Sequence, residues 1–377
     1  MGAHILYVVN DSGFFVSHRL VLAQAARAAG YRVTIAAGPG GAEDEIVAAG
    51  FEYRALPINR GAVKPLGELR LILAIAALYR SVRPDLVHLV TIKPALYGGI
   101  LARLLRVPAV VVAVTGMGYL FTGERRSFIR RAAEYLYRSA LLHTNGRVIL
   151  QNEADWQVLV ELRALREGCG VLVPGSGVDL SVFSPCPLPP GAPIVLLPAR
   201  MLWDKGIGEF VEAARIIQAR GIDARFVLVG PSDPDNPSAI GTNQLDAWQC
   251  DGVVEWWGMR KDMPAVMASA SLVVLPSYRE GMPKALLEAA AAGRAIVTTD
   301  VPGCRDVVEP GENGEMVPAR DARALADAIY SLLSNRDQLE RLGRRSRVIA
   351  ENRFGVADIV AAHMAIYNEL CENILEQ

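Results

Sequence analysis

The sequence of 377 residues lacks an apolar run long enough to span a membrane. The longest runs, such as LILAIAAL at Leu71–Leu78, fall far short of the roughly 18–20 residues that a transmembrane helix needs. The N-terminus, MGAHILYVVN, reads as a strand and lacks the basic start and cleavage site of a secretory signal. The sequence therefore predicts a cytoplasmic protein without a membrane-spanning segment.

Cysteine is also scarce, and no CxxC pair occurs. An odd number of widely scattered cysteines argues against a disulfide framework and against a zinc site, so reduced thiols are expected. The five are Cys169, Cys186, Cys250, Cys304 and Cys371. A DxD-type carboxylate pair in a suitable position is missing too, because Asp233–Asp235 stands in a proline-interrupted loop that we interpret as a surface turn. No metal is predicted.

Neither half of the chain has a GxGxxG after its first strand-like run, which argues against a dinucleotide dehydrogenase. In the first half Gly13 stands alone in NDSGFF, and in the second half the run is followed by RMLWDKG. RMLWDKG places Arg200 and Lys205 where a phosphate-binding turn would lie. Two fixed cations suit a diphosphate, both in binding and as a leaving group. The alternative is a pair of solvated loop residues.

What the chain does contain is a regular alternation of strand-like and helical runs, typical of doubly wound parallel sheets. Ten strands are predicted: HILYVV, RVTIAA, DLVHLV, AVVVAV, RVILQN, PIVLLPA, RFVLVG, GVVEWWG, SLVVLPS and RAIVTTD. Ten strands suit two Rossmann-like α/β domains, separated at the proline-rich Ser184–Pro193. The predicted domains are 1–185 and 190–355. The segment 356–377 is predicted to be a last helix that packs back across the first domain.

The stretch PSYREGMPKALLEAAAAG at Pro276–Gly293 predicts the end of a strand, a tight turn and a helix. Pro283 fits the first helical position, and Gly293 closes the helix. Glu280 then lies in the turn at the carboxyl edge of the sheet, where ligands bind in open α/β folds, and Glu288 lies within the helix. The alternative is that Glu280 is a solvated turn residue and Glu288 an exposed helix residue.

The start of that helix is a suitable site for an oxygen-rich ligand. The amides of Gly281, Met282 and Lys284 would point out of it. Lys284 falls in the first helical turn, where the helix dipole disfavours a cation. We therefore expect an anionic group, from a ligand or a glutamate, close to Lys284.

Charge is unevenly distributed although the formal net charge is only −1. Between Arg54 and Arg147 there are 15 basic and 4 acidic residues. Such a region suits an anionic membrane surface, nucleic acid or a phosphorylated acceptor. No nucleic-acid-binding motif accompanies it, so no nucleic-acid partner is predicted. A solvated helix face is the alternative.

Four motifs in order resemble a known family: LPARMLWDKG, VEWWGM, LPSYREGMPKALLEAAAAG and TTDVPGCRDVVEPGENGEMV. They are similar to the signatures of retaining family 4 glycosyltransferases of GT-B fold, whose two Rossmann-like domains face a cleft. SHRL, HLVTIKPALYGGILARL and TGMGYLFTG resemble a narrower group. These are bacterial enzymes that add a sugar, often an N-acetylhexosamine, to undecaprenyl-diphosphate-linked acceptors in surface glycan assembly.

The resemblance implies roles for matching donor-side residues. Arg200 and Lys205 would hold the donor diphosphate, Glu280 would bind hydroxyls of the donor sugar, and Glu288 would accept from the ribose hydroxyls. Carboxylates suit such diols because each has two acceptor oxygens. The remaining donor-binding residues are Gly13, Gly258, Met259, Gly281, Met282, Pro283 and Lys284.

The resemblance also implies that four residues lie on the acceptor side of the site: His18, Lys93, Thr115 and Gly116. Many relatives have a histidine in the loop where this chain has Thr115 and Gly116, and a paired glycine where it has Gly13 alone. His18 is the next candidate for a polar role, with a purely structural role as the alternative. His88 is predicted to pack at a strand end.

The function implied is retaining transfer of a hexose or N-acetylhexosamine, with GalNAc or GlcNAc favoured, from a UDP-sugar to a polyprenyl-diphosphate-linked saccharide. No cofactor or metal is implied, and the enzyme would rest on the anionic inner face of the cell membrane. Three alternatives remain: transfer to a soluble acceptor such as a sugar phosphate, a UDP-sugar 2-epimerase of the same fold, and a non-catalytic nucleotide-sugar binding protein.

Overall fold

The computed structural model of the protein describes residues 2–58, 65–116, 128–234 and 236–375. The chain divides into two units, Met1–Ser176 with Asp358–Gln377, and Gly177–Ala357. The proline-rich segment Ser184–Pro193 lies inside the second unit. Residues 117–123 of the TGMGYLFTG motif, and Asp235, lie outside the described residues.

The first unit contains a seven-stranded, wholly parallel sheet of order β3-β2-β1-β4-β5-β6-β7. Its strands are β1 His4–Val9, β2 Arg32–Ala37, β3 Glu52–Ala55, β4 Leu86–Val90, β5 Ala109–Val114, β6 Gly146–Leu150 and β7 Gly170–Leu172. The central strands are continuous apolar runs because helices cover both faces. The two edge strands, β3 and β7, were not predicted, since EYRA is polar and GVL is only three residues long.

Six helices accompany this sheet within residues 2–176 as far as the structure describes them. They are α1 Ser12–Ala28, α2 Glu43–Ala48, α3 Pro65–Val82, α4 Gly99–Leu104, α5 Phe128–Leu141 and α6 Glu153–Glu161, with a π-helical turn at Pro94–Gly98 before α4. Asp11 caps α1, and its Oδ1 accepts from the amide of Phe14 at 2.7 Å. Such a cap fixes the helix start at the carboxyl end of β1.

The second unit contains a six-stranded parallel sheet of order β10-β9-β8-β11-β12-β13. Its strands are β8 Ile194–Pro198, β9 Arg225–Val229, β10 Glu255–Trp256, β11 Leu272–Leu275, β12 Ala295–Thr299 and β13 Gly314–Val317; its helices are α7 Ile207–Ala219, α8 Thr242–Cys250, α9 Met263–Ser269, α10 Lys284–Ala291, α11 Ala322–Leu333 and α12 Arg336–Arg353. A strand over all of GVVEWWG is wrong, because only two residues pair with β9. The strand β13 was not predicted.

The last helix, α13 Val356–Leu375, packs on the first unit, as predicted. Tyr367 joins it to the sheet: its hydroxyl is 2.8 Å from that of Tyr7 and 2.5 Å from Nδ1 of His88. His88 was expected at a strand end but lies in the middle of β4, fully buried. Burial and the nearby Arg19 and His363 lower its pKa well below the ordinary histidine value.

No helix in the described ranges is both long and apolar enough to cross a membrane.

Candidate active site

The turn between β8 and α7 positions Arg200 and Lys205. A single 3-10 turn, Trp203–Lys205, leads into Gly206, which has a φ of +72° and is the N-cap of α7. A Cβ on Gly206 would lie 2.1 Å from the carbonyl oxygen of Pro276, so only glycine fits. This close approach brings the turn against the end of β11, where Glu280 follows.

Lys205 and Glu280 form the most compact ion pair of this region. Nζ of Lys205 is 2.5 Å from Oε1 of Glu280, and both side chains are largely buried. The same Oε1 accepts from the hydroxyl of Ser277 at 2.7 Å. Because Ser277 is fully buried, the carboxylate is fixed from the protein side. The alternative of a solvated Glu280 is therefore wrong.

The turn that carries Glu280 is held by a second loop. The amide of Glu280 donates to the carbonyl of Pro302 at 3.2 Å. Gly303, at a φ of +82°, approaches the carbonyl oxygens of Glu280 and Gly281, because a Cβ there would lie 2.6 Å from each. Burial, and next the Glu280 carboxylate, raises the pKa of the neighbouring Cys304 thiol to about 12, so this cysteine stays protonated.

The start of α10 differs from the prediction by one residue. Pro283 is the N-cap, with ψ of 113°, and Lys284 is the first helical residue. The assignment of Pro283 to the first helical position is wrong because its extended ψ keeps it outside the helix. Met282 is half-buried and packs against the core beneath the sheet. The predicted anion beside Lys284 is present, since its Nζ lies 3.3 Å from Oε1 of Glu288.

Glu288 is buried in the first turns of α10, with 8% of the residue exposed. Burial raises the pKa of its carboxyl group, and Lys284 only partly opposes this shift. An ordinary exposed helix glutamate is therefore excluded. A buried carboxylate near a helix start is costly to keep charged, which is typical of a group that serves a ligand.

Arg200 is held by a residue that the sequence did not assign to the site. Its Nη1 donates to Oδ2 of Asp233 at 2.6 Å, and the Asp233 side chain is only 13% exposed. The interpretation of Asp233 as a surface-turn residue is wrong, because this ion pair ties its loop to the end of β8. No short-range pattern links the two residues, which lie 33 positions apart.

Gly258 and Met259 follow β10 at the same edge of the sheet. Gly258 has a φ of +65°, and its carbonyl accepts from the amide of Gly230 at 2.8 Å. Gly230 itself lies so close to Ala199 that a Cβ would clash with the carbonyl oxygen at 1.9 Å. The Met259 side chain is exposed. The backbone here is thus shaped by glycines, and Met259 is left accessible.

In the first unit, Gly13 lies within the first turn of α1, so its expected place in a loop is wrong. Gly40 packs directly on it, since a Cβ on Gly40 would lie 2.7 Å from the Gly13 nitrogen. The carboxylate of Glu43 accepts from the Ser12 hydroxyl and from the Gly40 amide, both at 2.9 Å. These bonds, chiefly that to the Gly40 amide, lower the pKa of Glu43.

The predicted acceptor-side residues follow the carboxyl ends of strands, or the start of α1, within the first unit. His18 stacks on Phe14 with ring centroids 4.0 Å apart, and its Nδ1 is 2.7 Å from the hydroxyl of Ser17. Thr115 and Gly116 directly follow β5 and are half-buried. Gly116 has a φ of +133°, which a side-chain-bearing residue rarely adopts.

Lys93 is paired with Glu68 of α3, a partner that the sequence did not predict. Nζ of Lys93 is 2.6 Å from Oε1 of Glu68, and both side chains are largely buried. Burial, with the Glu68 carboxylate second, raises the pKa of the nearby Tyr97 to about 12. Thr91, just after β4, has a φ of +74°, and a π-helical turn follows it. Such irregular backbone is frequent at functional sites.

The structure thus brings Lys205 to Glu280, Lys284 to Glu288 and Arg200 to Asp233. Among the residues that it describes, no three side chains of His, Cys, Asp or Glu gather into a group that could hold a metal ion. What the second unit offers instead is cations and carboxylates at the carboxyl edge of one parallel sheet. In an open α/β sheet this is the edge that binds ligands.

Two glycosyltransferase family models match the chain, one on each unit. Residues 4–152 match "Glycosyl transferase 4-like", and residues 192–335 match "Glycosyl transferases group 1". Together the two matches span most of the sequence.

Relatives and solved structures agree with these matches. The chain is 26% identical, over 86% of its length and 88% of the relative's, to the N,N'-diacetylbacillosaminyl-diphospho-undecaprenol alpha-1,3-N-acetylgalactosaminyltransferase of Campylobacter jejuni. It is 24% identical, over 81% of both chains, to the UDP-Gal:alpha-D-GlcNAc-diphosphoundecaprenol alpha-1,3-galactosyltransferase of Escherichia coli. Anabaena HepE, solved in complex with UDP, superposes with a TM-score of 0.76 at 18% identity, over 98% of this chain and all of the other. The protein therefore belongs to the glycosyltransferases of GT-B fold.

Proposed function

We propose that this glycosyltransferase moves a hexose or N-acetylhexosamine from a UDP-sugar to a polyprenyl-diphosphate-linked saccharide, with retention of configuration, in surface glycan synthesis. The observation that carries the proposal is the set of charged side chains at the carboxyl edge of the second sheet. Glu288 and the Lys205–Glu280 pair are buried there, at positions where the resemblance assigns ribose, diphosphate and donor-sugar contacts.

The chemistry of each group fits a nucleotide sugar. Arg200 and Lys205 are cations that suit a diphosphate, while the carboxylates of Glu280 and Glu288 can each accept from a pair of hydroxyls. The names of the two relatives supply the acceptor class, because both act on undecaprenol-diphosphate-linked sugars. One relative is named for UDP-Gal, and HepE was solved with UDP, which supports uridine as the donor nucleotide.

In the proposed mechanism the acceptor hydroxyl attacks the anomeric carbon on the face from which the diphosphate departs. The bond from that carbon to the diphosphate oxygen breaks as the new glycosidic bond forms. The acceptor proton passes to the departing diphosphate. Arg200 and Lys205 stabilise the negative charge that develops on the departing diphosphate. Electrostatic stabilisation of this kind is usually the largest single contribution to the rate enhancement.

The test is donor binding by calorimetry across UDP-GalNAc, UDP-GlcNAc, UDP-Gal, UDP-Glc and GDP-Man, with EDTA and then with added Mg²⁺. We expect one UDP-sugar to bind without metal, and Glu288→Ala to abolish binding. Incubation of that donor with a polyprenyl-diphosphate saccharide should then release UDP. Binding of GDP-Man alone would contradict the donor assignment. Isomerisation of the UDP-sugar without an acceptor would contradict transfer.

We further propose that the first unit contacts an anionic membrane surface on the cytoplasmic side. Leu66, Leu69 and Leu73 are 83%, 53% and 62% exposed and recur at helical spacing on α3, inside the basic stretch. An apolar stripe flanked by arginines is typical of helices that lie in the interface of a membrane.

Vesicle sedimentation tests this contact. Vesicles with anionic lipid should retain the protein at low salt and less of it at high salt, because exposed charges are screened. Leu73→Ser should weaken retention, and Val47→Ser, at a similarly exposed site on α2, should not. Equal retention of both variants and of the wild type would contradict the contact.

A further inference from the structure

The first unit has a basic cavity at the amino edge of its sheet. It is an open cleft of about 510 Å³, lined by three exposed arginines, Arg80, Arg83 and Arg106. Asp85 and Pro108, which immediately precede β4 and β5, also line it. Lys93 and Thr115 follow the opposite ends of the same strands, about 16 Å away along a five-residue strand. The cavity is therefore separate from the candidate active site.

The three arginines carry charge that the protein does not neutralise. Within the described residues, their side chains make no hydrogen bond or ion pair. Asp85 is the sole acidic residue of the lining, and its Oδ2 is engaged by the backbone amide of His4 at 2.7 Å. Most arginines of the second unit, by contrast, are paired with carboxylates, as Arg225 is with Glu255. The cavity thus holds a formal excess of two positive charges.

The backbone places two of these arginines in an unfavourable conformation. Arg83 and Arg106 follow the ends of α3 and α4 with φ of +49° and +55°. The Arg83 amide donates to the carbonyl of Tyr79, and the Val107 amide to that of Ala102, as in helix-terminating motifs that usually employ glycine. Glycine adopts this conformation without strain, so a glycine substitution at either position removes the guanidinium group and leaves the backbone undisturbed.

We propose that Arg80, Arg83 and Arg106 bind a phosphate group, either of a free phosphorylated molecule or of a phospholipid head group. Guanidinium groups match phosphate oxygens with two parallel hydrogen bonds, and three of them offer more donors than one dianion needs. The apolar part of the lining, which includes the Tyr79 ring and Pro108, can cover the group that carries the phosphate. This inference does not depend on the proposed donor or acceptor.

The test uses the left-handed backbone conformation of Arg83 and Arg106, which glycine adopts readily. Arg83→Gly and Arg106→Gly each remove a charge while glycine adopts the same φ without strain, so the melting temperature should hold or rise. Arg163→Gly is the matched control, because Arg163 follows α6 with a φ of +51° and lies outside the cavity. Binding is measured in two ways, each with saturating UDP present. One is equilibrium dialysis with inorganic phosphate, and the other is sedimentation with phosphatidylglycerol or phosphatidylcholine vesicles.

We expect the dissociation constant for the bound anion to rise about tenfold in each cavity variant and to stay unchanged in Arg163→Gly. A loss in the phosphate arm alone assigns a free ligand, and a loss in the phosphatidylglycerol arm alone assigns a lipid head group. Wild-type protein that binds neither probe would overturn the proposal. So would an equal loss in Arg163→Gly, which would mean that net charge alone is responsible.

Discussion

Each unit holds a largely buried lysine–glutamate pair beyond the carboxyl ends of its strands, Lys205–Glu280 in the second unit and Lys93–Glu68 in the first, yet the two carboxylates differ in their surroundings. In the second unit, Glu280 accepts from both Lys205 and Ser277. In the first unit, Oε1 of Glu68 meets Lys93, while its Oε2 is buried without a hydrogen bond from any described residue. Both carboxylates are thus held through Oε1, and the difference is that Oε2 of Glu68 is buried, where an acceptor without a hydrogen bond is costly. If the proposed transfer is right, we expect this Glu68 oxygen to accept a hydrogen bond from the acceptor substrate.

The largest expected effect is on turnover, in the second unit. Lys205→Ala, and likewise Arg200→Ala, should lower kcat by about 10²–10³ because a cation that stabilises the leaving group is removed. Initial rates of UDP release measure this. Arg215→Ala is a suitable control, since Arg215 is as exposed as Arg200 and is also paired with a carboxylate. Near-normal turnover in both variants would exclude Arg200 and Lys205 from the diphosphate site.

A smaller effect of a different kind is expected from the pair in the first unit. Lys93→Gln should raise the KM for the lipid-linked acceptor about tenfold and leave the dissociation constant of the donor unchanged, since one charge-assisted hydrogen bond is lost. Steady-state kinetics with varied acceptor, together with donor calorimetry, separate the two constants. If the variant impaired donor binding instead, the division of roles between the pairs would be wrong.

Substitution of Glu288 should weaken donor binding and, at high pH, leave the free energy of unfolding unchanged or raise it. Glu288→Gln should weaken donor binding about tenfold, because a neutral amide with one acceptor oxygen replaces the carboxylate. Its buried carboxyl has a raised pKa, so the wild type gains stability when this group is protonated. That gain is fully present below about pH 4.5, the ordinary glutamate pKa, and is lost as the pH rises through the raised pKa.

Urea unfolding at several pH values tests the stability part. The variant should be as stable as the wild type or more so at pH 8, and its relative stability should fall as the pH is lowered. A stability difference that is constant with pH would show that Glu288 titrates normally.

The smallest effect on activity is expected in the core of the first unit. Tyr367→Phe should lower the free energy of unfolding by about 1–3 kcal/mol, because the buried hydroxyl of Tyr7 and Nδ1 of His88 both lose their partner. It should leave kcat unchanged. Tyr330→Phe is a control on an exposed side chain of α11. Comparable destabilisation by both would mean that the hydrogen bonds around Tyr367 contribute nothing.

Much of the fold was predictable because the signals are local. HILYVV, RVTIAA and AVVVAV are strands over the predicted residues, since uninterrupted apolar runs of that length are buried on both sides of a sheet. The strands EYRA and GEMV were missed for the same reason, because strands at the edge of a sheet do not need a continuous apolar run. The resemblance singled out Lys205, Glu280 and Glu288 as candidates for donor contacts, and it did not show which side chains each of them meets in the fold.

The sequence by itself determined the central strands, most of the turn chemistry and the residue types at the carboxyl edges, since these depend on neighbours a few positions apart. Only the tertiary structure decided the partners. Glu280 lies 75 residues from Lys205, and Asp233 lies 33 from Arg200. The sequence also did not predict that Arg80, in α3, and Arg106, just after α4, line the same cavity. Contacts across such separations arise from the packing of whole elements, which no local pattern encodes.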